Sequence, residues 1–166
     1  MSPTPTDTPA PRFLSDEQFA AAAVADGASR HARTLRAKIV GEDDGYMVGG
    51  ATSPKTGTKF PARSIPAEQF TPADAATHLA DIQSNFPEDS TIHQGAWKEN
   101  EHVVLDAAED VPDRGHAQLL GETRGEKAIF DVNRGKDIKL VGGSNRPLYM
   151  ATQEQTARGL RKARGL

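Results

Sequence analysis

Asp113 and His116 stand three residues apart, one helical turn, and Asp106, Glu109 and Asp110 come just before them, with His102 slightly upstream. Carboxylates beside an imidazole are the groups that exchange protons near neutral pH or ligate a divalent cation. His116, Asp106 and Asp113 are therefore the candidate acid/base or metal-binding residues of this chain. A simpler reading uses the same side chains. Asp113 follows Pro112 and opens a helix-like stretch, where a carboxylate caps the first turn and meets the positive end of the helix dipole. The other acids then form a solvated loop. No H-E-x-x-H or similar ligand spacing occurs, so no catalytic residue is assigned outright, and no metal or cofactor is expected.

Other reactive constellations are weaker still. Gly49-Gly50 and Gly142-Gly143-Ser144 offer backbone amides to an anion, yet neither sits in a P-loop or dinucleotide fingerprint, and strand ends account for the glycines. No G-x-S-x-G elbow is present. There is no cysteine, which excludes disulfides, thiolate zinc sites and thiol nucleophiles. Trp97 is the single tryptophan, and beside Gly95 it is expected to anchor the core.

Charge is unevenly spread. The net charge is -3, but the segment from Asn145 onward carries +4, leaving -7 for the rest, with eight acids between Glu99 and Glu126. Arg158, Arg161, Lys162 and Arg164 are the candidate interaction residues: they suit phosphate or an acidic protein surface, including this chain's own acidic middle. No aromatic follows Tyr149, so stacking on single-stranded bases is not expected there.

The elements that must position these residues follow from local pattern. The 166 residues and 17.8 kDa suit one domain. Residues 1–12 are rich in Pro and Thr and read as an arm, disordered or held by a partner. Ser15 and Gln18 form a capping box, with Leu14 and Phe19 as its hydrophobic staple. The helix they start is expected to run through the alanines to about Thr34 (13–36 as a unit), as a detachable rather than a core element. Tyr46-Met47-Val48 reads as a strand and Ser53 to Gly57 as a turn. Thr71-Pro72 opens a second helix with Ala75, Leu79, Ile82 and Phe86 on one face. Gly95-Ala96-Trp97 and Val103-Val104-Leu105 form a hairpin, Pro112-Asp113 starts a short helix, and Ala128 to Val132 and Ile138 to Val141 are strands. The expected fold is α+β: a small mixed sheet with a ββαββ unit within an α/β domain at 37–143. Helices precede that unit, the N-terminal arm is extended, and a basic segment at 144–166 is helical from about Ala151 to Ala163.

Gly95-x-Trp97, an apolar strand ending Leu105-Asp106, the Asp113-led helix and Ala128-Ile129-Phe130-Asp131 before Gly135-x-x-Ile138 together resemble an uncharacterised α/β domain of actinobacterial phage and prophage proteins. Gly45-Tyr46-Met47-Val48 is similar to that family's leading strand. The likeness covers about Gly45 to Leu140 and departs at Gly125-Glu126-Lys127, where the family carries Asn-Gln. The resemblance implies a phage or mobile-element context, in head-associated or injected proteins, and supplies no catalytic residues.

The expected function is accordingly a non-enzymatic, virion-associated minor structural protein gripped through its extensions. Its partners would be other subunits of an assembly, with nucleic acid reached through the basic end. Alternatives are a small host-acting enzyme using His116, Asp106 and Asp113, and an acidic inhibitor that mimics nucleic acid. No apolar run approaches the ~20 residues that span a bilayer, and residues 1–12 lack the apolar stretch of a secretory signal, so virion or host cytoplasm is the expected location and no membrane contact is foreseen.

Overall fold

The computed structural model describes residues 11–140. The body of the arm (1–10), the Gly142-Gly143-Ser144 segment and the basic stretch with Arg158, Arg161, Lys162 and Arg164 lie outside the described residues. The fold is α+β, as the pattern of elements implied. Three helices, α1 (Asp16–Ala25), α2 (Pro72–Asn85) and α3 (Arg114–Thr123), accompany seven strands: β1 (Ala28–His31), β2 (Tyr46–Val48), β3 (Arg63–Pro66), β4 (Ile92–Glu99), β5 (His102–Val111), β6 (Ala128–Asp131) and β7 (Lys136–Lys139). The strands make one sheet in the order β1-β4-β5-β2-β6-β7, with β3 also on β5. Where strand direction was left mixed, every ladder is antiparallel.

The capping boxes form as their residue types require. Ser15 accepts from the Gln18 amide while the Gln18 side chain accepts from Ser15 N, and Thr71 and Asp74 do the same for α2. Leu14 and Phe19 are both buried. The first helix, however, stops at Ala25 rather than near Thr34. Asp26 and Gly27 both donate to Ala22 O, and Gly27 takes φ +104°, a conformation open to glycine that ends the helix. The residues beyond it become β1, paired with β4 from Ala28 opposite Ala96 to His31 opposite His93. Nor is α1 detachable: Phe19 and Ala23 are fully buried and pack with Phe70, Ala75, Val103 and Leu105.

The β4–β5 hairpin turns through Asn100 and Glu101, both at positive φ, the conformation of a tight two-residue loop. Its second strand runs to Val111 and so takes in Asp106, Glu109 and Asp110, which are not in a loop as expected. Between β5 and β6 sits β2, with Met47 opposite both Asp110 and Phe130. The two hairpins of the ββαββ unit are therefore joined through a strand contributed by the earlier chain.

Register assigns the two faces of the sheet. Ala96, Val103 and Leu105 face α1 and α2, while Val48 and Val111 face α3 with Ala117 and Ile129. All three helices thus cover one face. The other face carries Ser29, His31, His93, Gly95, Trp97, Val104 and Asp106. Trp97 lies on that face and is 40% exposed, so it is not the core anchor expected of it: the side chain alternates away from Ala96, which holds the helix side.

What bolts α1 and α2 to the sheet is a buried polar chain. Arg30 on β1 has no exposed surface. Its Nε donates to Gln94 Oε1 on β4, Nη1 to Leu14 O and Nη2 to Asp16 Oδ1, each at 2.8 Å. The guanidinium carbon stands 4.6 Å from the Phe19 ring centre. Because Arg30 can only donate, it fixes the Gln94 amide, whose Nε2 donates to Ala75 O and to His78 Nδ1 on α2, both at 2.9 Å. Removing the guanidinium leaves the buried Leu14 and Gln94 oxygens unpaired and takes its ion partner from the partly exposed Asp16. We expect Arg30→Met to lower unfolding free energy in urea by about 3–5 kcal/mol; a loss under about 1 kcal/mol would show that the chain is not what holds the helices.

Candidate functional site

The strongest candidate for chemistry lies where the sheet splits. One edge of β5 pairs with β3 at residues 102–105 and with β2 at 109–111. Between them the chain turns away after Val48 and rejoins β5 only through Ala51 N, which donates to Ala107 O. Asp106 fills this gap. It is 3% exposed; Oδ2 accepts from Gly50 N at 2.9 Å and Oδ1 from Ala107 N at 2.8 Å. Gly50 takes φ +68° to aim its amide there. Gly49 has no room for a side chain, since a Cβ would stand 2.5 Å from Asp106 Oδ2 and 2.9 Å from Glu126 Oε1. The Gly49-Gly50 pair does follow the end of β2, and the amide of Gly50 is used within the protein, holding a carboxylate of the chain itself.

Charge continues outward from the gap. Glu126 Oε2 accepts from Lys59 Nζ at 2.8 Å, and Lys59 also reaches Arg124 O. Arg124 pairs with Glu109 at 2.6 Å and donates to the carbonyls of Val48 and Gly49. Burial raises the Asp106 carboxyl to about 6; the Gly50 and Ala107 amides lower it, Glu126 raises it further and Lys59 lowers it. A carboxyl at that value exchanges a proton near neutrality, which is what acid/base work requires. Both of its oxygens, however, are already engaged by backbone amides.

The structure places the other sequence-predicted residues differently. Asp113 caps α3, accepting from His116 N at 2.8 Å, as the capping reading foresaw. His116 is exposed on the first turn of α3. The hydrogen-bond partners of Asp106 are Gly50 and Ala107, and neither His116 nor Asp113 is among them. His102 Nδ1 stands 3.0 Å from Asn100 O in the hairpin turn. Asp110 pairs with Lys38 at 2.7 Å. Among the described residues no group of three or more His, Asp or Glu side chains is arranged to hold a metal ion.

Two functional-looking histidines were passed over in the sequence. His78 is wholly buried and His93 is 5% exposed. Burial depresses each to about 4; the charges of Arg63 and Arg30 add to the effect at His78, while the Thr91 carbonyl and Asp110 oppose it at His93. Their neighbours come from distant parts of the chain, so no local spacing announces them.

These titrations oppose one another. The two histidines bind protons more readily unfolded, so their contribution to stability is complete above pH 6.5 and is lost as pH falls toward 4. Asp106 acts in the opposite sense: its raised value penalises the folded state above pH 6 and relieves it as pH falls to 3.8. Asp106→Asn removes the acceptor of one of the two amides at every pH, but its stability relative to the parent should rise by up to about 3 kcal/mol between pH 4 and pH 7.5 in urea titrations. An equal effect at both pH values would show that Asp106 is not held as a costly buried charge.

Comparison of the chain with protein-family models, with curated proteins and with solved structures returned no match.

Proposed function

We propose that this chain is a non-enzymatic interaction protein of phage or prophage origin, a minor structural component of a virion. The sheet would serve as a rigid platform and the Trp97 end of its helix-free face as one docking surface. The terminal extensions, with Arg158, Arg161, Lys162 and Arg164, would supply further grip on neighbouring subunits or on packaged nucleic acid.

The observation that carries this reading is the asymmetry of the sheet. Among the described residues all three helices pack on one face, and the opposite face, buried at Met47, His93, Asp106 and Ala108, presents Trp97 at 40% exposure beside Val104, which it opposes in register. Exposed tryptophan on a rigid strand is costly to leave in water and is enriched where proteins meet partners. The phage context rests on the G-x-W, Leu-Asp and A-I-F-D resemblance. The enzyme alternative has less support, because Asp106, His116 and Asp113 share no hydrogen bond beyond the capping contact of the last two.

Trp97→Ala is expected to leave the melting temperature within a few degrees of the parent, because the ring's only hydrogen bond is a 3.2 Å contact from Nε1 to the exposed Glu99 carboxylate. In particles purified from an infected or induced host, the parent chain should co-fractionate and the Trp97→Ala variant should be depleted. Absence of the parent from purified virions sinks the structural-component reading, and equal incorporation of the variant removes Trp97 from it.

A further inference from the structure

At the far end of the helix-free face from Trp97, an open pocket of about 180 Å³ lies over the ends of β1, β4 and β5, room for roughly six waters at about 30 Å³ each. Its polar groups can be sorted by what they still lack. Asp43 accepts from Ile39 N at 2.7 Å and pairs with Arg12 at 3.2 Å. Asp110 Oδ2 accepts from Lys38 at 2.7 Å; its Oδ1 has no hydrogen-bond partner among the described residues but is fully buried, against Gly45, where a Cβ would stand only 2.6 Å away, so no ligand in the pocket reaches it. Both acids are therefore occupied or shielded.

His31 is also engaged. Its Nδ1 accepts from Arg33 N and Thr34 N, which leaves the proton on Nε2, 3.2 Å from Ser90 O. Its ring meets that of His93 edge-on at 5.2 Å. His93 donates from Nδ1 to Thr91 O at 3.1 Å, so Nε2 carries a bare lone pair, and no group among the described residues donates to it. The ring is 5% exposed and stays neutral at pH 7 because burial depresses it to about 4. On the opposite side of the ledger stand two cations. Lys38 spends one N–H on Asp110 and one on Asp44 O, leaving a third. Arg36 lines the pocket with its guanidinium making no hydrogen bond or ion pair among the described residues; its backbone is used, the N–H donating to Thr34 Oγ1 and the carbonyl accepting from His31 N.

The unmet needs are thus donors from Arg36 and Lys38 seeking negative oxygen, and a neutral imidazole nitrogen seeking a proton. We infer that this pocket binds a phosphoryl group that carries an ionisable proton, as inorganic hydrogen phosphate or a phosphate monoester. Its P–O⁻ oxygens accept from Arg36 and Lys38, and its P–OH donates to His93 Nε2. Sulfate and phosphate diesters have no such proton at neutral pH. They would bring lone pairs against His93 and two flanking carboxylates, so the pocket discriminates against both, and hence against a nucleic-acid backbone. This site is separate from the Trp97 surface and does not depend on it.

The test uses the full chain with ¹⁵N-labelled histidine at pH 6, where inorganic phosphate and about half of a phosphate monoester carry the proton and His93 is still neutral, so that the His93 Nε2 resonance separates this pocket from the basic residues beyond Asn145. Inorganic phosphate and methyl phosphate should each move that resonance saturably, while sulfate and dimethyl phosphate bind at least about tenfold more weakly. Arg36→Ala, at an exposed position, should weaken phosphate binding roughly tenfold, and Lys55→Ala should leave it unchanged. Response to inorganic phosphate but not to methyl phosphate supports the proposal and identifies the free ion as the ligand; response to both extends it to monoesters. The proposal is overturned if the His93 signal does not move, if sulfate matches phosphate, or if Arg36→Ala binds as the parent does.

Discussion

A single buried guanidinium organises the helix side of this protein. The helix face that α1 offers is nearly all alanine, with Phe19 its one large buried side chain, and alanine surfaces supply little burial energy and little directional preference. Arg30 supplies the direction. It reads the carbonyl of Leu14, the carboxylate of Asp16 and the amide of Gln94 at once, and Gln94 passes the constraint on to Ala75 and His78 of α2. Each partner in turn leaves the next with one allowed orientation. A core built only from alanine could slide; one threaded by this chain of donors has one register. The cost is a charge held entirely out of water, offset by three short hydrogen bonds and the Phe19 ring face beneath it.

Much of the architecture was legible locally. Ser15 with Gln18, Thr71 with Pro72, and Asp113 each marked a helix start through cap chemistry that acts within four residues. Tyr46-Met47-Val48 and Ala128-Ile129-Phe130-Asp131 marked strands by composition. The failures share a cause. Asp26-Gly27 ends the first helix, but an unbroken alanine pattern around it masked the stop. Asp106, Glu109 and Asp110 break the apolar alternation of β5, so the strand read as ending at Leu105. Their acidity reflects contacts made across the sheet and beside it. Trp97 was misplaced because one tryptophan beside a glycine gives no sign of which sheet face it takes; that is decided by the parity that puts Ala96 under the helices.

The site was less legible than the fold. Asp106 was singled out for its neighbours in sequence, His116 and Asp113, whereas its partners in space are Gly50 and, through Gly49, Glu126. That grouping follows from β2 leaving the sheet after Val48 while β3 joins β5 further along, a detail of topology invisible in any window of residues. His93 and Arg36 carry no local signature either. Their significance is what they lack, a partner for Nε2 of the one and for the guanidinium of the other among the described residues, and a missing partner can be recognised only once every neighbouring donor and acceptor has been assigned.

The split sheet explains why the protein tolerates a carboxylate at its centre. An uninterrupted β2–β3 edge would satisfy Ala107 and its neighbours with backbone alone and leave no space beside β5. Because the chain loops out between Gly49 and Phe60, an amide at Gly50 would otherwise face the gap without an acceptor, and Asp106 provides one from the strand it would have paired with. The same detour positions Lys59 beside Glu126 and exposes the Val48 and Gly49 carbonyls to Arg124. The charges on this edge therefore repair an interrupted ladder, which is why they are paired at short range. The opposite end of the helix-free face is built differently: its ladder between β1 and β4 is continuous through His31 and His93, its backbone needs no repair, and among the described residues the Arg36 guanidinium and His93 Nε2 have no partner. Side chains without structural duty, on a framework that is already complete, are the ones free to meet a ligand.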